Sequence, residues 1–328
     1  MNSMFGRGRR RPKGQDSSDG GVSGNPRPNV TRGGQPAGES PQKAAEVWCM
    51  KADALCTEGR SDDAIALFDK ALELNPREVR AWMGKGLCLA TLGRYNEALG
   101  CCNEALVDNP QDAEVWGLMG DVLEKLGRHV EALRHLDKAL EIDPCLVNAW
   151  INEGLARKAL GRFDEAVRCY GQALKLNDHS PEVWYNMGNS LCALGRFEEA
   201  LGCFNEALVL NPNDAAAWNN KGVSLAGLGR HEEAIPCYSK ALEIDPSYTK
   251  ALRAKAVSQE RLGKIPDAVE AYRHFIMVAS AQDAASVERI EQHIRELTSA
   301  GGMAAGQVSG PRPDIEATTA RNARNEWA

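Results

Sequence analysis

Asparagine stands at positions 152, 186 and 220, at equal intervals of 34 residues, with a further asparagine at 189. A carboxamide donates and accepts hydrogen bonds at once, so a row of them can hold an extended peptide backbone, whose N–H and C=O groups alternate. Two basic residues, Lys250 and Arg253, follow the row and could meet acidic groups. The chain also carries ten cysteines and six histidines. None of the cysteines forms a C-x-x-C pair, and the histidines at 129, 135, 179, 231, 274 and 293 are too scattered for zinc spacing. His231-Glu232-Glu233 lacks the second histidine of a metalloprotease motif, and no P-loop, dinucleotide fingerprint or nucleophile elbow occurs. No metal, cofactor or catalytic centre is expected, and the expectation is a protein that is not an enzyme.

The elements that position these residues follow from a repeat. Tryptophan occurs at 48, 82, 116, 150, 184 and 218, again every 34 residues, and the next step lands on Leu252. Glycine keeps the interval from Gly59 to Gly263 and alanine from Ala64 to Ala268. Prolines close units at 76, 110, 144, 212 and 246, with Asp178 and Ser280 in the remaining slots. A fixed period of this size means a solenoid of repeated supersecondary units.

The unit from Ala217 to Pro246 shows what each copy must be. Trp218, Gly222 and Leu225 are spaced by four and three, one side of a helix. Glycine costs about 1 kcal/mol in a helix interior, so its recurrence at 86, 120, 154, 188 and 222 implies a neighbouring helix too close for a β-carbon. Gly229 is placed to end this helix in a left-handed turn. Ala234, Tyr238 and Ala241 form the stripe of a second helix, and Asp245-Pro246 stops it. Pro236 falls about one turn into that helix, where its missing N–H costs least. Glu-Ala at the start of second helices suits the helix dipole.

Trp, Gly, Leu, Leu-Gly-Arg, an aromatic, Glu-Ala, an aromatic, Ala-Leu and Asn/Asp-Pro, in this order, resemble the tetratricopeptide repeat. Seven copies start near 45, 79, 113, 147, 181, 215 and 249 and run to 282. The resemblance implies an all-α fold, a right-handed α-solenoid superhelix of antiparallel helix pairs. Departures are local: Ala52 and Ser61 in the first unit, Arg157 at a leucine slot in the fourth, Leu252 and Ala256 in the seventh. Val287, Ile290, Ile294 and Leu297 form an apolar stripe on a capping helix expected at 283–298. Cys101, Cys169, Cys203 and Cys237 occupy one place in their second helices. Equivalent points in adjacent units lie roughly 10 Å apart, too far for a disulfide, so the cysteines read as small apolar fillers in a reducing compartment.

Residues 1–44 are Gly/Pro-rich and without hydrophobic period, and 299–328 are similar; both are expected to be disordered. The 1–44 arm carries eight basic and three acidic residues, +5, which leaves −11 of the total −6 for the remainder. Such a balance excludes a protein that coats nucleic acid over its whole surface. The cluster Arg7, Arg9, Arg10, Arg11 and Lys13 could touch RNA, an anionic lipid surface or an acidic protein patch, or be a solvated tail. No apolar run reaches membrane-spanning length and no signal peptide is evident, so a cytoplasmic location is expected.

In tetratricopeptide arrays the first helices line the concave surface, which implies that Asn152, Asn186, Asn189 and Asn220 face the groove. The family's carboxylate clamp is matched at Asn189, Asn220 and Lys250, while Tyr185 and Ala254 replace its two other basic residues. The resulting expectation is an interaction scaffold holding an extended peptide or partner protein along repeats four to seven. Its acidic or C-terminal groups would lie toward Lys250 and Arg253. Two alternatives stay open: a regulatory or substrate-selecting subunit of a separate enzyme, and an RNA or membrane-surface adaptor acting through the basic arm.

Overall fold

A computed structural model describes residues 40–279 and 284–300. Fourteen helices form seven antiparallel pairs. These are α1 (Pro41–Thr57) with α2 (Ser61–Leu74), α3 (Val79–Thr91) with α4 (Tyr95–Asp108), α5 (Ala113–Lys125) with α6 (His129–Ile142), and α7 (Val147–Ala159) with α8 (Phe163–Leu176). The remaining pairs are α9 (Pro181–Ala193) with α10 (Phe197–Leu210), α11 (Ala215–Gly227) with α12 (His231–Ile244), and α13 (Thr249–Arg261) with α14 (Ile265–Val278). A last helix, α15 (Ala284–Ala300), packs on α14 and adds Ile290 to the core formed by Leu252, Tyr272 and Phe275. No strand occurs among the described residues.

Each first helix ends in the same way. The N–H of the glycine reaches back three residues and that of the following residue reaches back five, as in Gly93 to Ala90 and Arg94 to Leu89. All seven glycines, 59 to 263, have φ between 72° and 76°, the left-handed conformation this cap requires. The helical glycines have the other role. An alanine Cβ at Gly154, Gly188 or Gly222 would lie 2.5, 2.8 or 2.6 Å from a ring carbon of Tyr170, Phe204 or Tyr238, so the two helices of a unit close directly on that ring. Tyr170, Phe204 and Tyr238 are among the largest fully buried side chains.

The tryptophan and proline periods turn out to be one feature. The indole Nε1–H of Trp82, Trp116, Trp150 and Trp218 donates to the carbonyl of the closing Pro76, Pro110, Pro144 and Pro212, at 2.9–3.0 Å. Trp184 makes the same bond, 2.9 Å, to the carbonyl of Asp178. A backbone carbonyl is all the bond needs, which is why the fourth unit closes normally without proline.

The backbones of consecutive first helices approach closely across units (α1 with α3, α5 with α7, α9 with α11), whereas those of consecutive second helices stay further apart among the described residues. The first helices are therefore crowded on the inner side of the curve and the second helices are splayed on the outer side.

Three sequence expectations need correction. The arm assigned to 1–44 gives way to helix earlier, because Ser40 caps α1 through the Lys43 N–H and Pro41 opens it. The glutamates opening second helices do more than meet the dipole. Arg94, Arg128, Arg196 and Arg230 each form a bidentate pair with Glu97, Glu131, Glu199 and Glu233 three residues on, holding those carboxyls below their usual range. Pro236 lies two residues past Ala234, the N–H that closes the first turn on Arg230, so it does forfeit one intrahelical bond.

Candidate functional site

Polar side chains concentrate on the inner face where α7, α9 and α11 adjoin. The fifth unit projects Tyr185, Asn186 and Asn189 from α9, and the sixth projects Asn219 and Asn220 from α11. Helix spacing of three to four residues brings Asn186 and Asn189 onto one side, and the stacking of α9 on α11 joins the two sets. Asn220 is the hub. Its Nδ2 donates to Asn189 Oδ1 at 2.9 Å and to the Tyr185 hydroxyl at 3.1 Å, and its Oδ1 accepts from Asn219 Nδ2 at 2.9 Å. Burial raises the Tyr185 phenol, while hydrogen bonds from Asn189 and Asn220 act the other way. The amide seam extends toward the fourth unit through Lys158, whose ammonium donates to Asn186 Oδ1 at 3.4 Å. Burial lowers the Lys158 pKa, and the nearby Glu124 carboxylate partly offsets this.

The asparagines were expected as a row lining the groove, and three of them are well covered there: Asn186 is 8% exposed, Asn189 5% and Asn220 5%. The cause is the close approach of neighbouring first helices, which brings non-equivalent groove positions of adjacent units against one another. Asn219, absent from the sequence expectation, is buried with them, and its Oδ1 has no partner among the described residues. Its signal in the sequence was the adjacent pair Asn219-Asn220, unmatched in any other unit. Ser190 and Ser224, one turn on from Asn186 and Asn220, donate back to those residues' own carbonyls at 3.0 and 2.9 Å.

The other expected site residues are separate from the seam. Asn152 on α7 is half-buried, Lys250 on the first turn of α13 is exposed, and Arg253 one turn further is half-buried with its charge felt at the Tyr272 phenol. On the first helices of the N-terminal units, Asp53 pairs with Arg80 and Asp121 with Lys125. Arg7, Arg9, Arg10, Arg11 and Lys13 lie outside the described residues.

The remaining chemistry is structural. Arg157, at its leucine slot, joins the 4%-exposed Glu153 on its own helix and Glu165 on α8, with Asp137 of α6 at 3.7 Å. Burial pushes the Cys169 and Cys203 thiols up to about 12, as expected of apolar fillers. No group of three or more His, Cys, Asp or Glu side chains among the described residues could hold a metal ion. No helix among them is long and apolar enough to cross a membrane.

Two tetratricopeptide repeat family models match this architecture over residues 49–113 and 185–249, and over 111–179. The chain belongs to the tetratricopeptide repeat family. A comparison with curated proteins returns no match. Among solved structures, pilF of Pseudomonas aeruginosa superposes with a TM-score of 0.59 at 18% identity, covering 69% of this chain and 100% of that one. PilW, described as a type IV pilus biogenesis factor, gives 0.57 at 20% identity over 63% and 96% of the two chains. The C-terminal part of a repeat protein from Cytophaga hutchinsonii gives 0.58 at 17% identity over 72% and 98%. At these identities the likeness is one of fold.

Proposed function

We propose that this tetratricopeptide repeat protein is a non-catalytic, cytoplasmic interaction scaffold. It holds an extended peptide segment of a partner protein against the first helices of repeats four to seven. The observation that carries this reading is the amide seam itself. Buried amides are costly unless their hydrogen bonds are made, and helix propensity gives no reason for asparagine at these points. Linked as Asn219–Asn220–Asn189 with Tyr185, they fix the inner face of units five and six in one arrangement before a ligand arrives, which reduces the ordering cost of binding. Asn186, whose Oδ1 is committed to Lys158, has its Nδ2 donors to offer a peptide carbonyl. Asn152 on one flank and Lys250 and Arg253 on the other supply the less buried contacts, and the two cations favour an acidic or C-terminal carboxylate at that end.

An array of ten-residue peptides, each with a free or an amidated C-terminus, would test this against the full chain by fluorescence anisotropy. Free-carboxylate peptides should bind more tightly, and Lys250→Ala with Arg253→Ala should erase the difference. Asn186→Ala with Asn220→Ala should weaken all binders by about tenfold or more, the loss of one or two hydrogen bonds. Affinity indifferent to both pairs of substitutions would overturn the groove reading.

A further inference from the structure

Equivalent cysteines of adjacent repeats are too far apart to react, but two non-equivalent ones meet. Cys56 lies in the last turn of α1 and Cys88 in the last third of α3, and their sulfurs are 2.7 Å apart, both as free thiols. The two positions are offset by 32 residues, not 34, because the last turn of α1 packs beside a point in α3 two residues short of the equivalent one. The corresponding positions at the fifth junction hold Cys192 and Ser224, with Sγ and Oγ 3.1 Å apart, so this approach is built into the stacking and is not peculiar to one pair. Only the first junction places sulfur on both sides.

We propose that Cys56 and Cys88 are a modification site, a dithiol that hydrogen peroxide converts to a reversible disulfide tying the first repeat to the second. Forming the bond at about 2.05 Å needs a shift of well under an ångström. Access is divided between the two sulfurs: Cys56 is half-buried and can meet a small oxidant, whereas Cys88 is 2% exposed. With Cys88 closed to solvent, Cys56 is the attacking group; the contact between the sulfurs lowers its thiol pKa, whereas that contact and burial raise Cys88. Asp53, one turn before Cys56 and paired with Arg80, opposes ionisation of both thiols.

The chemistry balances in two steps. Cys56 sulfur attacks one peroxide oxygen, the O–O bond breaks, and the departing hydroxide takes the thiol proton as water, leaving a sulfenic acid. Cys88 sulfur then attacks that sulfur, the S–O bond breaks, and its thiol proton leaves with the hydroxide as a second water. Two thiols are oxidised by two electrons and one peroxide is reduced. The disulfide closes a loop containing all of α2, so it holds the first described unit against the second.

Trypsin separates the two cysteines cleanly, since cleavage after Lys51, Arg60, Lys85 and Arg94 leaves peptides 52–60 and 86–94 with one cysteine each. The full chain would be treated with graded hydrogen peroxide, alkylated, digested without reductant and mapped by mass spectrometry. The expected product is the pair 52–60 with 86–94, two hydrogens lighter than their sum, formed before any other buried cysteine is oxidised and reversed by dithiothreitol. The exposed Cys145 serves as the internal gauge of peroxide dose. The cross-linked chain should melt higher by about 5–10 °C, in line with the loop closed. In Cys88→Ser, Cys56 should stop at a sulfenic acid trapped by dimedone. Accumulation of Cys56 sulfinic acid without the linked pair in the unaltered chain would overturn the proposal. So would linkage of Cys56 to any other cysteine, or linkage only between chains. The mapping uses the natural sequence, so the proposal is decided even if the serine variant fails to fold.

Discussion

The fourth repeat and the fifth share a backbone plan and differ in how polarity is buried. In the fourth, a leucine slot is taken by Arg157, and the buried Glu153 one turn earlier answers it, with Glu165 and Asp137 supplied by the second helices on either side. At the junction of the fifth with the sixth, neutral amides and a phenol satisfy one another. A buried charge demands a counter-charge and compensates poorly when that partner is lost, whereas an amide brings its own donor and acceptor and can be linked in series. The ionic cluster lies on the side facing second helices, where it ties the two helices of the fourth unit together and reaches Asp137 of the third. The amide seam lies on the inner face, where it joins two units and borders the groove. On the function proposed above, their positions separate a folding role from a binding role.

The largest effect expected from breaking this contrast is at the charge. Arg157→Ala should leave Glu153 buried without its partner and destabilise the array by about 3–5 kcal/mol in urea unfolding. Glu153→Met combined with Arg157→Leu, which restores the apolar pattern, should be neutral or stabilising and should leave peptide affinity unchanged. A smaller loss is expected from Asn220→Ala, which removes the seam's hub and strands Asn189 Oδ1 and Asn219 Nδ2, at about 2 kcal/mol. Unlike the charge variant it should also weaken peptide binding, and a stability loss with no binding loss would erase the distinction drawn between the two regions.

The smallest effect sharpens the comparison at the end of the array, where His293 of α15 meets Glu260 of α13 at 2.8 Å with the Tyr272 ring edge-on at 5.6 Å. The hydrogen bond to Glu260 raises the His293 pKa above 6.5, with burial opposing and Glu296 assisting. Stabilisation of α15 from this pair should therefore be complete below pH 6.5 and be lost as pH rises through the folded pKa. Hydrogen exchange of α15, corrected for intrinsic rate, should accelerate over that range in the natural chain and not in Glu260→Gln.

Much of the fold was legible because it depends on single residues at fixed spacing. Gly229 ends α11 with a φ of 75°, and Gly222 sits where a Cβ would strike Tyr238 at 2.6 Å. Both follow from what only glycine can do. The start of α1 was missed although Ser40-Pro41 is a cap and a first-turn proline, because the surrounding Gly/Pro composition masked it. The candidate site was half legible. Asn186, Asn189 and Asn220 were found through periodicity, but their burial, the hub role of Asn220 and the part of Asn219 were not. Comparing equal positions in each unit also concealed Cys56 and Cys88.

By itself the sequence determined the number of units, their 34-residue length, the caps, and the close approach of the two helices within each unit. All of these are local or repeat identically. Only the tertiary structure decided which side chains of neighbouring units meet, and those separations are 28 for Lys158–Asn186, 31 for Asn189–Asn220, 32 for Cys56–Cys88 and 35 for Tyr185–Asn220. The physical reason is that a period fixes equivalence and not adjacency. Side chains on packed helices interdigitate at an angle and an offset set by their ridges and by the curvature of the stack, so residues in contact are seldom a whole repeat apart.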